Sequence, residues 1–294
     1  MITVANLTKS FGGHTVVSDV SFTLEANTST ALIGPNGAGK TTILSMLTGL
    51  LQPTGGTVEI AGAEDIRREI GFLPQYPQFY PWLTALEFTE MAAKLSGVPG
   101  RDAKREAEKV LAFVGLEKAM RKKTATFSGG MKQRLGMAQA IVHKPKLLLL
   151  DEPVSALDPV GRREIMNLLK ELQQQTTILY STHILNDAEE MTDQLLFLRK
   201  GKLVESGSLA EVRAKFESPR YRVTFATQED ALRFATQSSL SATANGTSVY
   251  VEMKEAQPTM QQLLERLAAS KLAVTKVERV TASLEEIFME VAGQ

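Results

Sequence analysis

From Ile2 to about Leu24 apolar and polar residues alternate, with Gly12-Gly13 as a turn, which predicts short strands. Ser29-Thr30-Ala31-Leu32-Ile33 then predicts a buried strand that ends in a glycine loop. Beyond the loop Ile43, Leu44, Leu47 and Leu50 recur at helical spacing, and Gly49 with Pro53 marks the end of that helix. Thr57–Ala61 and Ile70–Leu73 predict further strands. The pattern then turns helical. Thr84 with Glu87 forms a capping box, and Arg101–Phe113 sets an apolar stripe among Ala, Lys and Glu, so Pro77 to about His143 reads as a helical insert.

Strands return at Lys146–Leu150, Thr176–Ser181 and Gln194–Arg199, separated by helices, one of which has Asp158 as N-cap and Pro159 in its first turn. Apolar strands alternating with helices predict an α/β fold with a largely parallel sheet covered on both faces. No short-period repeat is visible. The tail has a different rhythm. Arg220–Phe225 alternates as a strand, Glu229–Ala235 reads as helix, and Leu240–Ala244 and Thr247–Glu252 flank an Asn245-Gly246 hairpin turn. Pro258–Ala269 is helical and Leu272–Arg279 extended, so the order is βαββαβ, a small α+β ferredoxin-like domain. Ser283 and Glu286 cap a final helix. The expected division is 1–216 and 217–294.

Composition adds limits rather than identity. The 294 residues suit one large domain and one small one, and 43% hydrophobic with 22% charged residues is an ordinary globular balance. Lys plus Arg equals Asp plus Glu at 33 each, so no overall field draws the chain to nucleic acid, and no nucleic-acid partner is expected. Cysteine is absent, which excludes disulfides and thiolate zinc sites and fits a reducing compartment. Met1-Ile2-Thr3-Val4 reads as a strand, not a signal peptide. The run Leu147–Leu150 is far below the ~18 residues that span a bilayer. A protein that is soluble when isolated is expected.

The run Gly34-Pro35-Asn36-Gly37-Ala38-Gly39-Lys40-Thr41 fits a phosphate-binding loop and lies where one must, between a buried strand and a helix. Glycines let backbone N–H groups turn towards phosphates, and the helix N-terminus adds positive potential. Lys40 is expected to reach the β- and γ-phosphates of ATP, and Thr41 to offer its hydroxyl to Mg²⁺, with Thr42 following at the same site. An acidic anchor for the metal appears at Asp151, where the wholly apolar Leu147–Leu150 strand ends. Its neighbour Glu152 is placed to polarise a water as general base. Phe127-Ser128-Gly129-Gly130-Met131-Lys132-Gln133-Arg134 opens another helix with bare N–H groups, a second anion site.

These motifs in this order, with the loop Ser155-Ala156-Leu157-Asp158 and an isolated His183 after the next strand, strongly resemble the ATP-binding subunits of ABC transporters. The resemblance covers about Ile2 to Phe216. It implies that Gln75 senses Mg²⁺ and the γ-phosphate, that Phe11 stacks on adenine, and that His183 contacts the γ-phosphate. The family signature usually reads Leu-Ser-Gly-Gly-Gln; here Phe127 and Met131 replace its first and last residues, while Ser128, Gly129 and Gly130 remain. The resemblance also implies a second cassette as mate, identical or paralogous, because each ATP is sandwiched between the loop of one subunit and the Ser-Gly-Gly helix of the other. It implies an integral-membrane permease, met near Tyr80 and Trp82, and a place on the cytoplasmic face of the membrane.

Ser283–Phe288 looks like the terminal helix of ATPase subunits of ABC-2 type exporters of drugs, antibiotics and sodium. A soluble cassette ATPase acting on nucleic acid or ribosomes is the alternative. Such proteins usually carry two cassettes, a coiled-coil insert or zinc cysteines, and none is present. Glu152 and His183 argue against a cassette that binds ATP without hydrolysing it.

Overall fold

The computed structural model describes residues 1–155, 157–216, 219–253, 257–280 and 283–293. Ala156 of the Ser155–Asp158 loop lies outside them, as does residue 217, at which the sequence places the start of the second domain. The chain forms two compact units, Met1–Leu209 and Ala210–Gln294.

In the first unit, β1 (Ile2–Phe11) and β2 (His14–Leu24) form a hairpin through Gly12 and Gly13, both at positive φ. After β3 (Ser29–Ile33) and α1 (Lys40–Leu47) comes β4 (Gly55–Ile60), which pairs with β1, giving a small antiparallel sheet of order β2-β1-β4. Helix α1 stops before Leu50. Gly49 takes a left-handed conformation, φ 73°, that turns the chain away from the helix, and Leu50 ends up 73% exposed.

Strand β5 (Ile70–Leu73) precedes the helical insert of α2 (Ala85–Leu95), α3 (Gly100–Phe113) and α4 (Gly129–Ile141). The Thr84–Glu87 capping box opens α2. Then follow β6 (Leu147–Asp151), α5 (Pro159–Gln173), β7 (Thr177–Thr182), α6 (Leu185–Met191), β8 (Gln194–Arg199) and β9 (Lys202–Ser208). The main sheet has the order β5-β6-β7-β3-β8-β9 and is parallel except for β9. The sequence pattern does not mark strand β9, whose burial alternates with exposure on a sheet edge and whose residues are mostly polar. The four leucines of β6 are completely buried, as a central parallel strand requires. Leu147 and Leu149 pack with Ile43, Leu44 and Leu47 of α1 and with Val4 and Leu7 of β1, so the strand that carries Asp151 and the helix that carries Lys40 share one core.

Helix α7 (Leu209–Lys215) leads into the second unit: β10 (Arg220–Phe225), α8 (Gln228–Gln237), β11 (Ala242–Asn245), β12 (Ser248–Glu252), α9 (Met260–Ser270), β13 (Val274–Val280) and α10 (Leu284–Gly293). The antiparallel order β11-β12-β10-β13 is that of a ferredoxin-like sheet. Tyr221, Val223, Phe225, Val249 and Val251 form a core with Phe234 of α8 and Leu263 and Leu267 of α9. Ser283 and Glu286 make the reciprocal bonds of a capping box at α10.

Candidate functional site

Strand β3 is buried throughout and delivers the chain to Gly34, where a Cβ would stand 2.4 Å from the Leu198 carbonyl oxygen. Only glycine passes β8 that closely. Gly37 and Gly39 have φ of 79° and 104°, the left-handed region that favours glycine, and Gly39 caps α1. Between them Ala38 is buried. Lys40, 5% exposed, begins α1 and donates from Nζ to the carbonyls of Gly34, at 2.8 Å, and Pro35, at 3.2 Å. Burial pulls its pKa below the ordinary lysine value, opposed by the nearby charges of Glu152 and Asp151.

Thr41 Oγ1 donates to Asp151 Oδ2 at 2.8 Å, across the packing of α1 on β6. Ser181 Oγ, on the neighbouring strand β7, donates to Asp151 Oδ1 at 2.6 Å. Glu152 is the first residue beyond β6 and has φ 47°, a left-handed conformation rare for a residue with a side chain. Its N–H donates to Ser181 Oγ at 2.9 Å. Three groups gather on its carboxylate. Gln75 Nε2 donates to Oε2 at 3.1 Å, His183 Nδ1 lies 3.1 Å from Oε1, and Lys40 Nζ lies 4.0 Å from Oε1.

A cleft of about 690 Å³ opens over these groups, lined by Asn36, Gly37, Gly39, Lys40, Thr41, Thr42, Gln75, Glu152 and His183, with Val16, Tyr76 and Ser155 at its wall. Residues as distant in sequence as Val16 and His183 thus meet around one carboxylate and one glycine loop. Phe11 stands apart from the lining. It ends β1, is 48% exposed, and has Lys9 Nζ 5.0 Å from its ring centroid. Ser181, Val16 and Tyr76 are not singled out by the sequence pattern. The signal for Ser181 is the hydroxyl that interrupts an apolar run just before His183.

Ser128 caps α4 by accepting from Met131 N–H at 3.3 Å, leaving Gly129 and Gly130 in the first turn. Phe127 is buried, which suits an aromatic ring where the family has leucine. Two further residues of the motif anchor the helix. Gln133 Nε2 donates to the Pro153 carbonyl at 2.8 Å, and Arg134 donates to the Val114 carbonyl at 2.7 Å while pairing with Glu164 of α5. Ser128, Gly129 and Gly130 line a separate hollow of about 420 Å³ with Leu157, Asp158 and Gly161. One chain therefore holds a glycine loop and a Ser-Gly-Gly helix in two different clefts.

A third concavity of about 780 Å³ is lined by Leu50, Phe72, Phe79, Tyr80, Met91 and Leu95 among others. Tyr80 stacks on Trp82 with centroids 5.3 Å apart, and Trp82 is 65% exposed.

The ABC transporter family profile matches residues 17–155, the span that holds the glycine loop, the Ser-Gly-Gly helix and the Asp151-Glu152 pair. The ABC transporter ATP-binding protein YxlF of Bacillus subtilis (strain 168) is 42% identical over 293 residues, covering 99% of each chain. This chain belongs to the ABC transporter ATP-binding proteins. Like that family, it is an ATPase by class. The bacitracin transport ATP-binding protein BcrA of Enterococcus faecalis is 40% identical over 223 residues, 73% of this chain and 71% of that one. Residues 207–292 match the C-terminal domain of DrrA1-3-like ATP-binding proteins. A dimeric ATP-binding cassette solved in a post-hydrolysis state with ADP and Pi has a TM-score of 0.64 and 30% identity, covering 71% of this chain and 99% of that one.

Proposed function

We propose that this ATPase binds Mg²⁺·ATP in the Lys40 cleft, hydrolyses it with Glu152 as general base, and powers an exporter whose permease is a separate membrane chain. The observation that carries the reading is the convergence of Gln75, His183 and Lys40 on the Glu152 carboxylate beside the Thr41–Asp151 pair. In this structure these groups satisfy one another. A γ-phosphate offers Lys40 and His183 a stronger anion, which leaves the carboxylate to a water.

The donors fit Mg²⁺. Thr41 and Asp151 present a hydroxyl and a carboxylate, and Gln75, which donates through Nε2, has its amide oxygen to offer. Among the described residues no group of three or more His, Cys, Asp or Glu could hold a metal ion, so most of the shell would come from phosphate and water, as Mg²⁺ prefers. Bound there, the ion neutralises charge on the phosphates during phosphoryl transfer. Asn36, Gly37, Ala38 and Gly39 cradle the phosphates through their backbone, Lys40 grips the β- and γ-phosphates, and Thr42 follows in the first turn of α1. Phe11 supplies the adenine contact from the hairpin end.

Because Ser128, Gly129 and Gly130 line a different cleft, a second cassette must bring its own signature to the γ-phosphate. The mate is a second copy or a close paralogue, and closing on ATP with opening after hydrolysis is the power stroke. Export as the direction is supported by the bacitracin transport relative and by the DrrA1-3-like C-terminal match. No helix among the described residues is long and apolar enough to cross a membrane, and the reading assigns that part to the permease, with this chain peripheral at its cytoplasmic face.

The test compares wild type with Glu152→Gln in ATP hydrolysis and, with Mg²⁺·ATP, in size by light scattering. Turnover in the wild type, and an inactive variant that accumulates as an ATP-dependent dimer, is the expected result. Equal turnover in both proteins would remove Glu152 from the reaction.

A further inference from the structure

Ser181 lies one register position from the chemistry without touching the cleft. Strand β7 pairs with β6 in parallel, placing Ser181 opposite Asp151, and its side chain is completely buried. A buried hydroxyl must find partners, and this one has two that are consecutive in sequence. It donates to Asp151 Oδ1 at 2.6 Å and accepts the Glu152 N–H at 2.9 Å. Strand β6 ends at Asp151, so the Glu152 N–H goes to a side chain rather than along the ladder.

Each bond constrains a different group. With Oδ1 held by Ser181, Asp151 turns Oδ2 to Thr41, so the Thr41–Asp151 pair is oriented from behind. With its N–H held, Glu152 keeps the left-handed backbone that aims its carboxylate at Gln75 and His183. His183 itself follows Ser181 by two residues on the same strand end, so one hydroxyl ties together the strand ends that carry both sides of the reaction.

We propose that Ser181 is a positioning residue that sets the metal-facing carboxylate of Asp151 and the carboxylate of Glu152 together. The inference rests on the ATPase reading of the cleft. A plain interstrand bond would act on stability alone; a positioning bond acts on the response to Mg²⁺ and on turnover. Outer-shell partners of a metal site commonly change affinity or activity by about 10–100-fold.

The experiment uses the full chain as wild type, Ser181→Ala, Ser181→Cys and Glu152→Gln. A fluorescent ADP analogue is titrated with Mg²⁺ and again in EDTA, and kcat and KM for ATP are measured. In Ser181→Ala, the tightening of ADP binding by Mg²⁺ is expected to shrink by about 10-fold and kcat to fall about 10–100-fold, with ADP affinity in EDTA and KM little changed. Should the alanine variant fail to fold, Ser181→Cys fills the space without strong hydrogen bonds and reads the same quantities. Unchanged Mg²⁺ tightening overturns the proposal, and so does an equal loss of ADP affinity with and without Mg²⁺, which marks general damage. If Glu152→Gln abolishes turnover, the ATPase reading stands however Ser181 behaves. If the wild type neither hydrolyses ATP nor binds the ADP analogue, that reading fails; if it binds ADP without turnover, the Mg²⁺ comparison still decides Ser181.

Discussion

His183 Nδ1 lies 3.1 Å from Glu152 Oε1, and the two residues leave the ends of adjacent parallel strands. His183 is half exposed while Glu152 is largely enclosed, so the imidazole is the more solvent-facing member of the pair. A group in that position can pass from the carboxylate to the γ-phosphate when nucleotide arrives. His183→Ala is therefore expected to lower kcat by about 10²–10³-fold, the usual cost of one preorganised donor to a developing charge. ADP, which lacks the γ-phosphate, should bind the variant as it binds the wild type. Steady-state hydrolysis and an ADP titration check both parts, and undiminished turnover would take His183 out of the reaction.

Lys40 gives a binding prediction of a different kind. Its ammonium is buried against two loop carbonyls, so burial has already removed its water before a phosphate arrives. Ligand at 100 times its Kd stabilises a folded protein by about 2.7 kcal/mol, which reads as a rise in Tm. In Lys40→Ala that nucleotide-dependent rise should vanish. A variant that still shows the full rise would mean that nucleotide binds elsewhere.

The glycine loop was legible because its chemistry is local. Gly37, Gly39, Lys40 and Thr41 stand in one run between a buried strand and a helix, and in the structure both glycines take a left-handed backbone. The main parallel sheet and the ferredoxin-like order of the tail were legible from periodicity for the same reason. Contacts set by strand order were not. Ser181 meets Asp151 only because β6 and β7 are neighbours, and nothing in a single sequence states that register. Gln75 and His183 were reached through the family resemblance, and the structure places both on Glu152. Leu50 shows the opposite error, in which helical spacing ran one residue past the left-handed glycine that ends the helix.

Tyr80, which lines an apolar concavity, forms a stacked pair with Trp82, and Trp82 is 65% exposed. If the permease docks there, truncating anchors of this type costs ~2 kcal/mol or more of binding. Tyr80→Ala with Trp82→Ala should lose co-purification with the permease and the ATPase activity coupled to transport. Hydrolysis by the isolated cassette should persist, since neither ring lines the nucleotide cleft. Unchanged co-purification would place the docking surface elsewhere.

Glu106 of α3 offers a pH-dependent test of what holds the helical insert. Its Oε1 accepts from Lys109 Nζ at 3.0 Å, and Lys144, just beyond α4, pairs with Oε2 at 3.3 Å. The Lys109 bond first and the Lys144 bond second pull its pKa from 4.5 to about 2. In the unfolded chain Glu106 regains the ordinary value, so between these limits the unfolded state binds more protons and stability rises with pH. The contribution is complete above about 4.5 and is lost as pH falls through about 2. Glu106→Gln should therefore lower Tm at neutral pH and flatten the acid limb, and the two Tm curves should converge as the medium approaches the folded-state value. Both lysines are exposed, so added salt should narrow the neutral-pH difference. Parallel Tm curves, with no convergence in acid, would show that Glu106 acts through packing and not through its charge.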